Sequence, residues 1–479
     1  MAMTQFRYRE IESRIVELIR DKALAPGEKL PSLRAMSRTM KASLSTVGQA
    51  YVELEGKGVI QSRPRSGFYV APVQKLLPRT EAVAETELRP KTVNRVQLIQ
   101  TVLEVLGDRD LVPLGIISPS PELLPRRLLR SYLREAMDRP EALEYAPVDG
   151  LLELRRQICR LSFDAGIAVR PEEIVVTAGA MEALYIALRC VTRPGDTVLI
   201  QSPTYFCFLQ LVETLGLRAI EVPGHPGRGV DPAEVDKAIR TFDVRACILS
   251  PTFNNPDGCL ADDEAKAEIV RTVARHGIPL IEDDVSGDLY FNSERPTACK
   301  AMDRDGRVML CSSFSKTVAP GCRLGWLMPG RLADKAREIK ATTSVCTASP
   351  FQMALAAYLS SGRYPAHLKK LRTAIRDQMA HMQTHLGRSF PAGTRASRPR
   401  GGAVLWVELP ADVDGVEFFF QARENGISIA PGCIFSTREN YRNYLRLSCS
   451  GVWDDRIRDG IETLGTLAGN MPSPRPPRG

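Results

Sequence analysis

The sequence predicts an α/β protein with two folded units, a small helical head that ends in a hairpin and a large domain with a mainly parallel sheet between helices. The chain has 479 residues, more than a single hydrophobic core usually supports. Beyond residue 170, five apolar segments alternate with helix-length segments, a pattern typical of parallel sheets. The first 75 residues hold 13 Lys and Arg against 7 Asp and Glu, so most of the net charge of +8 lies in the head.

The composition excludes several classes of protein. Hydrophobic residues make up 44% of the chain and charged residues 25%, as in ordinary soluble proteins. No apolar run is long enough to span a bilayer, and the start, MAMTQFRYRE, lacks the apolar core of a signal peptide. The eleven cysteines include no C-x-x-C pair. We therefore expect a cytoplasmic protein with reduced thiols, no membrane segment and no metal site.

Residues 1–72 carry signals for three short helices and a hairpin. Apolar residues recur at helical spacing in YREIESRIVELIRDKAL, and APGEKLPS then interrupts the chain. Ser32 can cap a second helix, LRAMSRTMK, and either Ser43 or Ser45 can cap a third, STVGQAYVELEGKG. VIQSRPRSGFYV predicts two strands, Val59 to Ser62 and Gly67 to Val70, joined by a basic turn. This order indicates a winged helix-turn-helix.

The segments GEKLPSLRAMS, STVGQAYVELEGKGVI and RSGFYV resemble the DNA-binding head of GntR-type bacterial regulators. The resemblance covers nearly all of residues 8–70 and implies a double-stranded DNA operator as partner, with the third helix in the major groove and the wing on the minor groove or backbone. Leu44 stands where many such heads place an arginine, so one phosphate or guanine contact is missing. The DNA-contacting residues that the resemblance implies are Arg34, Ser45, Thr46, Gln49, Arg63, Arg65 and Gly67.

Two segments are predicted to lie outside the folded units. Residues 73–110 are predicted to form a linker, because the stretch APVQKLLPRTEAVAETELRP, from Ala71 to Pro90, has little periodicity, although a short helix can form in TVNRVQLIQTVLEVLG. Residues 469–479 end in MPSPRPPRG, a composition typical of a disordered tail. The large domain is therefore predicted at residues 111–468.

Polar or glycine-containing turns follow the strands EEIVVTAGA, DTVLIQSPTY, RACILSPTFNNPDG, IPLIEDDVSGD and RVMLCSSFSKT. Because the carboxyl ends of parallel strands meet at one edge of a sheet, we expect the groups in these turns to lie close together. They comprise helix-starting amides, a flat aromatic ring, an amide side chain, a carboxylate, and an amine beside hydroxyls and a guanidinium. In chain order they are Ala180, Met181, Tyr205, Asn255, Asp283, Ser313, Lys316 and Arg323.

Together these groups meet the needs of one cofactor, pyridoxal phosphate. It requires an amine for a Schiff base, a carboxylate beside its ring nitrogen, a donor at its ring oxygen, a stacking ring and a dianion site. Asn255, Asp283 and Lys316 are separated by 28 and then 33 residues, about one strand-helix unit per step. Taken singly, each also has an ordinary structural interpretation as a turn, cap or core residue.

Residues from about 110 to 465 resemble fold-type I aminotransferases, which consist of a PLP-binding α/β domain and a small C-terminal α+β subdomain, here about 345–468. With the head, the chain resembles the MocR-type subgroup of GntR-family transcription regulators. The resemblance implies Lys316 as the catalytic Schiff-base lysine and Asp283 as partner of the pyridine nitrogen. It also implies that Asn255 contacts the ring oxygen and that Tyr205 stacks on the ring.

The same resemblance assigns the remaining contacts. Arg446, in YLRLSCS, matches the arginine that grips a substrate carboxylate, a bidentate task suited to guanidinium. Tyr145, in EYAPVDG, matches a tyrosine that reaches the other subunit's site, which implies a homodimer. The phosphate-binding groups are implied to be Ser313, Ser315, Arg323 and the amides of Ala180 and Met181.

The resulting hypothesis is a PLP-dependent, DNA-binding transcription regulator that senses a small amino compound through the Schiff base. One alternative is an active aminotransferase with an accessory DNA-binding head, and another is a large domain that has lost the cofactor and serves only for dimerisation. Ser286 lies where the family commonly has a tyrosine that contacts the cofactor's ring oxygen, which counts against efficient transamination. Val404 also replaces a usual phenylalanine in the pocket.

Overall fold

A computed structural model describes residues 2–21, 23–56, 59–63, 66–71, 77–80, 91–92, 96–104, 108, 110–438 and 440–471. The chain divides into two compact units, one of residues 1–76 with 291–295 and the other of residues 77–290 and 296–479. Among the described residues, every helix is too short or too polar to cross a membrane.

The first unit has the elements that the sequence predicts. Ser32 Oγ accepts a hydrogen bond from Ala35 N at 3.2 Å and caps the second helix, while Ser43 Oγ accepts from Thr46 N at 3.1 Å and caps the third. Tyr51 is fully buried at the centre of the core and donates to Pro31 O at 2.8 Å. The elements are α1 Ala2–Arg20, α2 Leu33–Thr39, α3 Leu44–Gly56, β1 Ile60–Arg63 and β2 Gly67–Val70, the two strands pairing antiparallel.

The second unit contains three further sheets, one large, one small and one of only two short strands, and a layer of helices covers each face of the large sheet. Its strands are β3 Lys91–Thr92, β4 Val112–Pro113, β5 Val175–Thr177, β6 Thr197–Ser202, β7 Arg218–His225, β8 Gly229–Val230, β9 Val244–Leu249, β10 Leu280–Asp283, β11 Val308–Ser313, β12 Gly325–Met328, β13 Arg395–Ala396, β14 Val404–Glu408, β15 Ile427–Ser428, β16 Ala430–Pro431 and β17 Tyr444–Ser448. Its helices are α4 Val96–Leu103, α5 Arg126–Met137, α6 Leu152–Asp164, α7 Ala180–Val191, α8 Phe206–Thr214, α9 Pro232–Thr241, α10 Asp263–His276, α11 Ala333–Thr343, α12 Ser349–Ser360, α13 Tyr364–Ser389, α14 Gly415–Glu424 and α15 Asp455–Asn470.

The large sheet has the order β3-β7-β6-β9-β10-β11-β12-β5, and β8 pairs with β7. The strands from β7 to β11 in this order run parallel, which confirms the predicted mainly parallel α/β fold. The sequence did not predict β7 or the antiparallel β12. Successive residues of β9 pack on opposite faces of the sheet: Ala246 packs with helix α7, and Cys247 packs with helices α9 and α10. Helices therefore cover both faces of the sheet.

The small sheet has the order β13-β14-β17-β16, all antiparallel, and forms the predicted C-terminal subdomain. Two features differ from the predicted subdomain range of about 345–468. Helix α12 lies inside that range, yet its Leu355 and Tyr358 are buried with Val176 and Trp326 of the large sheet. The earlier strand β4 pairs with β15 of the subdomain. Packing thus assigns α12 to the large sheet and brings the residues after 110 to the subdomain.

Candidate functional site

Three predicted residues lie at the carboxyl ends of adjacent parallel strands. Asn255 follows β9, Asp283 ends β10 and Lys316 follows β11, and these strands are neighbours in register. Ser250 Oγ donates to Asp283 Oδ2 at 3.4 Å, and Val285 N donates to Asp283 Oδ1 at 3.1 Å. These bonds orient the carboxylate at the mouth of the sheet.

Partial solvent access distinguishes four predicted residues from the buried chain around them. The preceding residues Thr204, Asn254 and Glu282 are each 0% exposed, so the strand ends are otherwise sealed. The four partly accessible residues are Tyr205, Asn255, Asp283 and Lys316. These four residues therefore keep some solvent access at the sheet edge, as residues of a ligand site require.

The surroundings of Lys316 and Asp283 move both groups toward neutrality. Lys316 Nζ donates to Ile117 O at 2.5 Å. Burial, and then the positive charge of Arg446, lowers the pKa of Lys316 to about 8. Burial raises the pKa of Asp283 to about 6. Perturbed titratable groups of this kind cluster at functional sites.

Arg446 extends from β17 of the small sheet into the same region. It is only 2% exposed, and burial lowers its pKa to about 10. Its NH1 donates to Asn255 Oδ1 at 3.1 Å, and its NH2 donates to the carbonyl of Gly115. Its buried Nε has no hydrogen-bond partner in the described part of the chain. Arg446 and Lys316 thus hold carbonyls of one three-residue segment, 115–117, so two cationic side chains converge on one place.

A second cluster forms around the turn from β5 into α7. Arg323 NH2 donates to Ala178 O at 3.1 Å, and Arg323 NH1 donates to Ser315 Oγ at 3.5 Å. Ser315 N donates to Ser313 Oγ at 3.3 Å. Gly179 has φ +84°, and a Cβ there would lie 2.6 Å from Arg323 NH2. The structure therefore brings a guanidinium and two hydroxyls to the start of α7.

Gly325 permits the close approach that builds this cluster. A Cβ on Gly325 would lie 2.6 Å from Ser312 O and 2.9 Å from Ala180 N. The first amides of a helix have no partner within the helix, so those of Ala180 and Met181 suit an anion. The requirement for glycine at position 325 was not predicted, because the local sequence RLGW shows only a glycine before a tryptophan.

The two predicted aromatic residues have different environments. Tyr205 packs against Phe206 and Phe208, with ring centroids 4.8 and 5.7 Å away, and burial raises the pKa of its phenol. Tyr145 is 88% exposed on the surface of the large unit. Its neighbour Leu143 is 81% exposed. Tyr205 therefore belongs to the site within one chain, whereas Tyr145 can serve only a surface contact.

Several residues at the site were missed by sequence reasoning. The carbonyls of Gly115 and Ile117 lie about 200–330 positions from their partners, and backbone groups carry no sequence signal. Glu182 and Lys340 form a buried ion pair behind the β5–α7 turn, at 2.9 Å. Glu182 accepts a hydrogen bond from the amide of Ala178, four residues earlier. A glutamate placed shortly after the start of a helix is a signal for such a bond, and the sequence AGAMEAL contains it.

In the head, α3 presents part of the predicted DNA-contacting set. Ser45 and Gln49 are exposed one helical turn apart, and Leu44 is 51% exposed beside them. Thr46, also predicted to contact DNA, is 6% exposed, and its hydroxyl lies 2.7 Å from that of Ser43 at the start of α3, so it is less accessible than Ser45 and Gln49. Arg34 is exposed and forms no ion pair with a described acid.

The wing presents basic groups around an aromatic ring. The guanidinium carbon of Arg63 lies 4.1 Å from the centroid of Tyr69, and Lys29 Nζ lies 5.9 Å from it. Gly67 has φ +107°, which favours glycine at the start of β2. Arg65 lies outside the described residues. Lys29, which also bridges to Tyr69 through the backbone, was not predicted.

Comparison with known families matches both units. Residues 7–70 match the gntR family of bacterial regulatory proteins, and residues 121–464 match the class I and II aminotransferases. The class I and II aminotransferase fold implies dependence on pyridoxal phosphate. The second match spans most of the chain.

Relatives and solved structures agree with these matches. The HTH-type transcriptional regulator YdcR of Escherichia coli K12 is 36% identical over 96% of this chain and 98% of its own length. The regulator NorG of Staphylococcus aureus is 26% identical over 91% of this chain and 99% of its own. The α-aminoadipate aminotransferase LysN of Thermus thermophilus is 27% identical, with a TM-score of 0.72 over 77% of this chain and 94% of LysN. The kynurenine aminotransferase of Pyrococcus horikoshii is 26% identical, with a TM-score of 0.73 over 78% of this chain and 95% of its own. The chain therefore belongs to the MocR-type transcription regulators, in which a GntR-family helix-turn-helix head precedes a class I and II aminotransferase domain.

Proposed function

We propose that this regulator holds pyridoxal phosphate on Lys316 and responds to a small amino compound that carries a carboxylate. The observation that supports this most strongly is the convergence of Lys316 and Arg446 on segment 115–117, beside Asp283 and Asn255. The charged amine of Lys316 and the guanidinium of Arg446 repel each other when they lie close together. Such an arrangement favours the binding of negatively charged or electron-poor groups.

The described residues fit the cofactor. The turn at Gly179 leaves no room for a Cβ beside Arg323, as a closely fitted phosphate site requires, and the buried Nε of Arg446 lacks a described partner and is left for the effector's carboxylate. When bound, pyridoxal phosphate supplies an aldehyde that condenses with amines and an electron-poor ring. Lys316, with its pKa lowered to about 8, has a larger neutral fraction near physiological pH than an ordinary lysine and is therefore more nucleophilic.

The remaining side chains would hold the parts of the cofactor. Asp283 would pair with the pyridine nitrogen, and a cation there favours the ionised carboxylate despite burial. Asn255 would donate its amide to the ring oxygen, while Tyr205 would stack on the ring. The phosphate would be held by Ser313, Ser315, Arg323 and the amides of Ala180 and Met181.

Arg446 would grip the effector's carboxylate with two parallel hydrogen bonds. Its NH2 already donates to the carbonyl of Gly115, so a carboxylate bound across Nε and NH2 would compete with that carbonyl. Segment 115–117 would then lose one of its two cationic partners. A ligand shifts a conformational equilibrium only by its different affinity for the two states, and this exchange supplies such a difference.

On the DNA side, we propose that Ser45 and Gln49 of α3 face the major groove, with Arg34 beside them. Arg63 and Lys29, stacked around Tyr69, would contact the backbone, and Gly67 would allow the wing to approach closely. The proposed regulator is a homodimer, because Tyr145 is 88% exposed and the resemblance assigns it to the other subunit's site.

The test is an absorption titration of the purified protein with pyridoxal phosphate. The wild-type chain and a Lys300→Ala control are expected to develop the long-wavelength band of a lysine-bound cofactor, whereas Lys316→Ala is expected to show only the free aldehyde's spectrum. Lys300 is a suitable control because it pairs with Asp303 and Val308 O. A band of equal strength in Lys316→Ala refutes the assignment.

Transamination is a second candidate, favoured by the joint presence of Lys316, Asp283 and Arg446. Ser286 provides no phenol near the ring oxygen, so we expect slow turnover. Conversion of the bound cofactor to its amine form by an amino acid, followed in a single-turnover experiment, measures it. Complete conversion within seconds would favour the enzyme over the sensor.

A further inference from the structure

The turn between β5 and α7 is held from both sides of one residue, Ala178. Its amide N donates to Glu182 Oε2 at 2.5 Å, and its carbonyl accepts from Arg323 NH2 at 3.1 Å. Thr177 Oγ1 also donates to Gly179 O at 2.9 Å within the turn. The direction of the first amides of α7 therefore depends on the position of Glu182 as well as on Arg323.

Glu182 is fixed in turn by a buried lysine. Lys340, on α11, lies 3.1 and 2.9 Å from the two carboxylate oxygens of Glu182, and Ser344 Oγ donates to the same carboxylate at 2.5 Å. The Lys340 side chain is 0% exposed and that of Glu182 is 12% exposed. Removal of either partner would leave a charge buried without compensation.

Lys340 is also tied to the strand that leads into the turn. Its ammonium donates to Thr347 Oγ1 at 3.0 Å, and Thr347 Oγ1 donates to Val176 O of β5 at 3.2 Å. One ammonium thus connects the last residues of β5, the following turn and the first turn of α7. Neither Lys340 nor Glu182 belongs to the set assigned to the cofactor.

We infer that Glu182 and Lys340 are positioning residues that hold the β5–α7 turn in the form that binds a phosphate monoester. The inference rests on the proposed cofactor function and adds the residues that shape its anion site. The amides of Ala180 and Met181 can point to one phosphate only if the turn before them is fixed, and the Glu182 bond to Ala178 N provides that constraint. A fixed set of donors binds an anion more tightly than a mobile one, because less ordering accompanies binding.

The experiment compares pyridoxal phosphate with pyridoxal, which has the aldehyde and ring but no phosphate. Dissociation constants are measured from the long-wavelength band of the lysine-bound aldehyde. The central variant is Glu182→Leu with Lys340→Met, because it removes both charges and leaves neither buried alone. Glu182→Gln retains an acceptor for Ala178 N. Lys335→Met is the matched control, since Lys335 lies on the same helix and donates to Cys190 O at 2.7 Å, away from the turn.

The double variant is expected to bind pyridoxal phosphate about tenfold more weakly than wild type while its affinity for pyridoxal stays the same. Glu182→Gln is expected to lose less, and Lys335→Met to match wild type for both aldehydes. Equal losses for both aldehydes in the double variant, or an unchanged affinity for pyridoxal phosphate, overturn the inference. If the wild-type chain binds neither aldehyde on Lys316, the proposed cofactor function fails, and this inference fails with it.

Discussion

Replacing Lys316 by methionine is expected to stabilise the cofactor-free protein near neutral pH. Burial lowers the pKa of Lys316 from 10.5 to about 8, so the folded state holds the charged amine at a cost. A difference of this size corresponds to roughly 3 kcal/mol. The side chain retains partial solvent access, and its hydrogen bond to Ile117 O is lost in the variant. We therefore expect a gain of about 1–2 kcal/mol at pH 7.

The sign of the pH dependence follows from the lowered pKa. Below pH 8 the amine of Lys316 is mostly charged in both the folded and the unfolded protein, so the full free-energy cost of burying the charge lowers the stability of the folded state. Between about pH 8 and 10.5 the unfolded chain binds more protons than the folded chain, so wild-type stability rises with pH. The advantage of Lys316→Met should therefore shrink between pH 7 and pH 9.5.

Urea denaturation followed by tryptophan fluorescence measures this effect. The three tryptophans, Trp326, Trp406 and Trp453, all belong to the large unit, so the signal reports the unfolding of that unit. Lys340→Met is the contrasting variant, because its buried ammonium has a carboxylate partner and its loss is expected to destabilise the unit by about 3–5 kcal/mol. The reasoning is refuted if Lys316→Met is destabilised at pH 7, or if its gain does not change with pH.

Three further outcomes are expected. Arg446→Lys should weaken the binding of amino acids by about 1.5–3 kcal/mol without changing the affinity for pyridoxal phosphate, and parallel loss of both in spectroscopic titrations would contradict the assigned role. Gly179→Ala should weaken cofactor binding, because φ +84° costs alanine roughly 1–2 kcal/mol and its Cβ would meet Arg323; unchanged affinity would argue against the cradle. Arg63→Ala should lower the slope of log affinity against log salt by about 0.9 while sequence preference persists, and an unchanged slope would remove Arg63 from the DNA contact.

The sequence predicted several of the side chains that the structure brings together at the strand ends. Asn255, Asp283 and Lys316 each follow an apolar strand, and parallel pairing brings such positions together whatever the details of packing. Tyr205 was found in the same way. The antiparallel β12 was missed although SKTVAPGCRLG is too short for a helical crossover between parallel strands, which was a usable signal.

The remaining features depend on packing that no local pattern records. Glu182 and Lys340 are 158 positions apart, and only the folded arrangement of α7 and α11 makes them partners. Gly115 contributes a carbonyl, which every residue type possesses. The GntR resemblance assigned Thr46 to DNA, and it could not reveal that this side chain is 6% exposed and lies beside Ser43.

We propose above that Lys316 links a small amino compound to DNA binding. The most direct measurement uses a DNA fragment selected from a random library by the purified protein, with a panel of amino acids and amines. Absorption spectra and DNA affinity are recorded in the same samples, for wild type and Lys316→Ala loaded with pyridoxal phosphate. We predict that any compound that changes the long-wavelength band of wild type also changes its DNA affinity, and that Lys316→Ala loses both responses. A DNA affinity that responds equally in Lys316→Ala, or a spectral change without any change in DNA binding, would contradict the account.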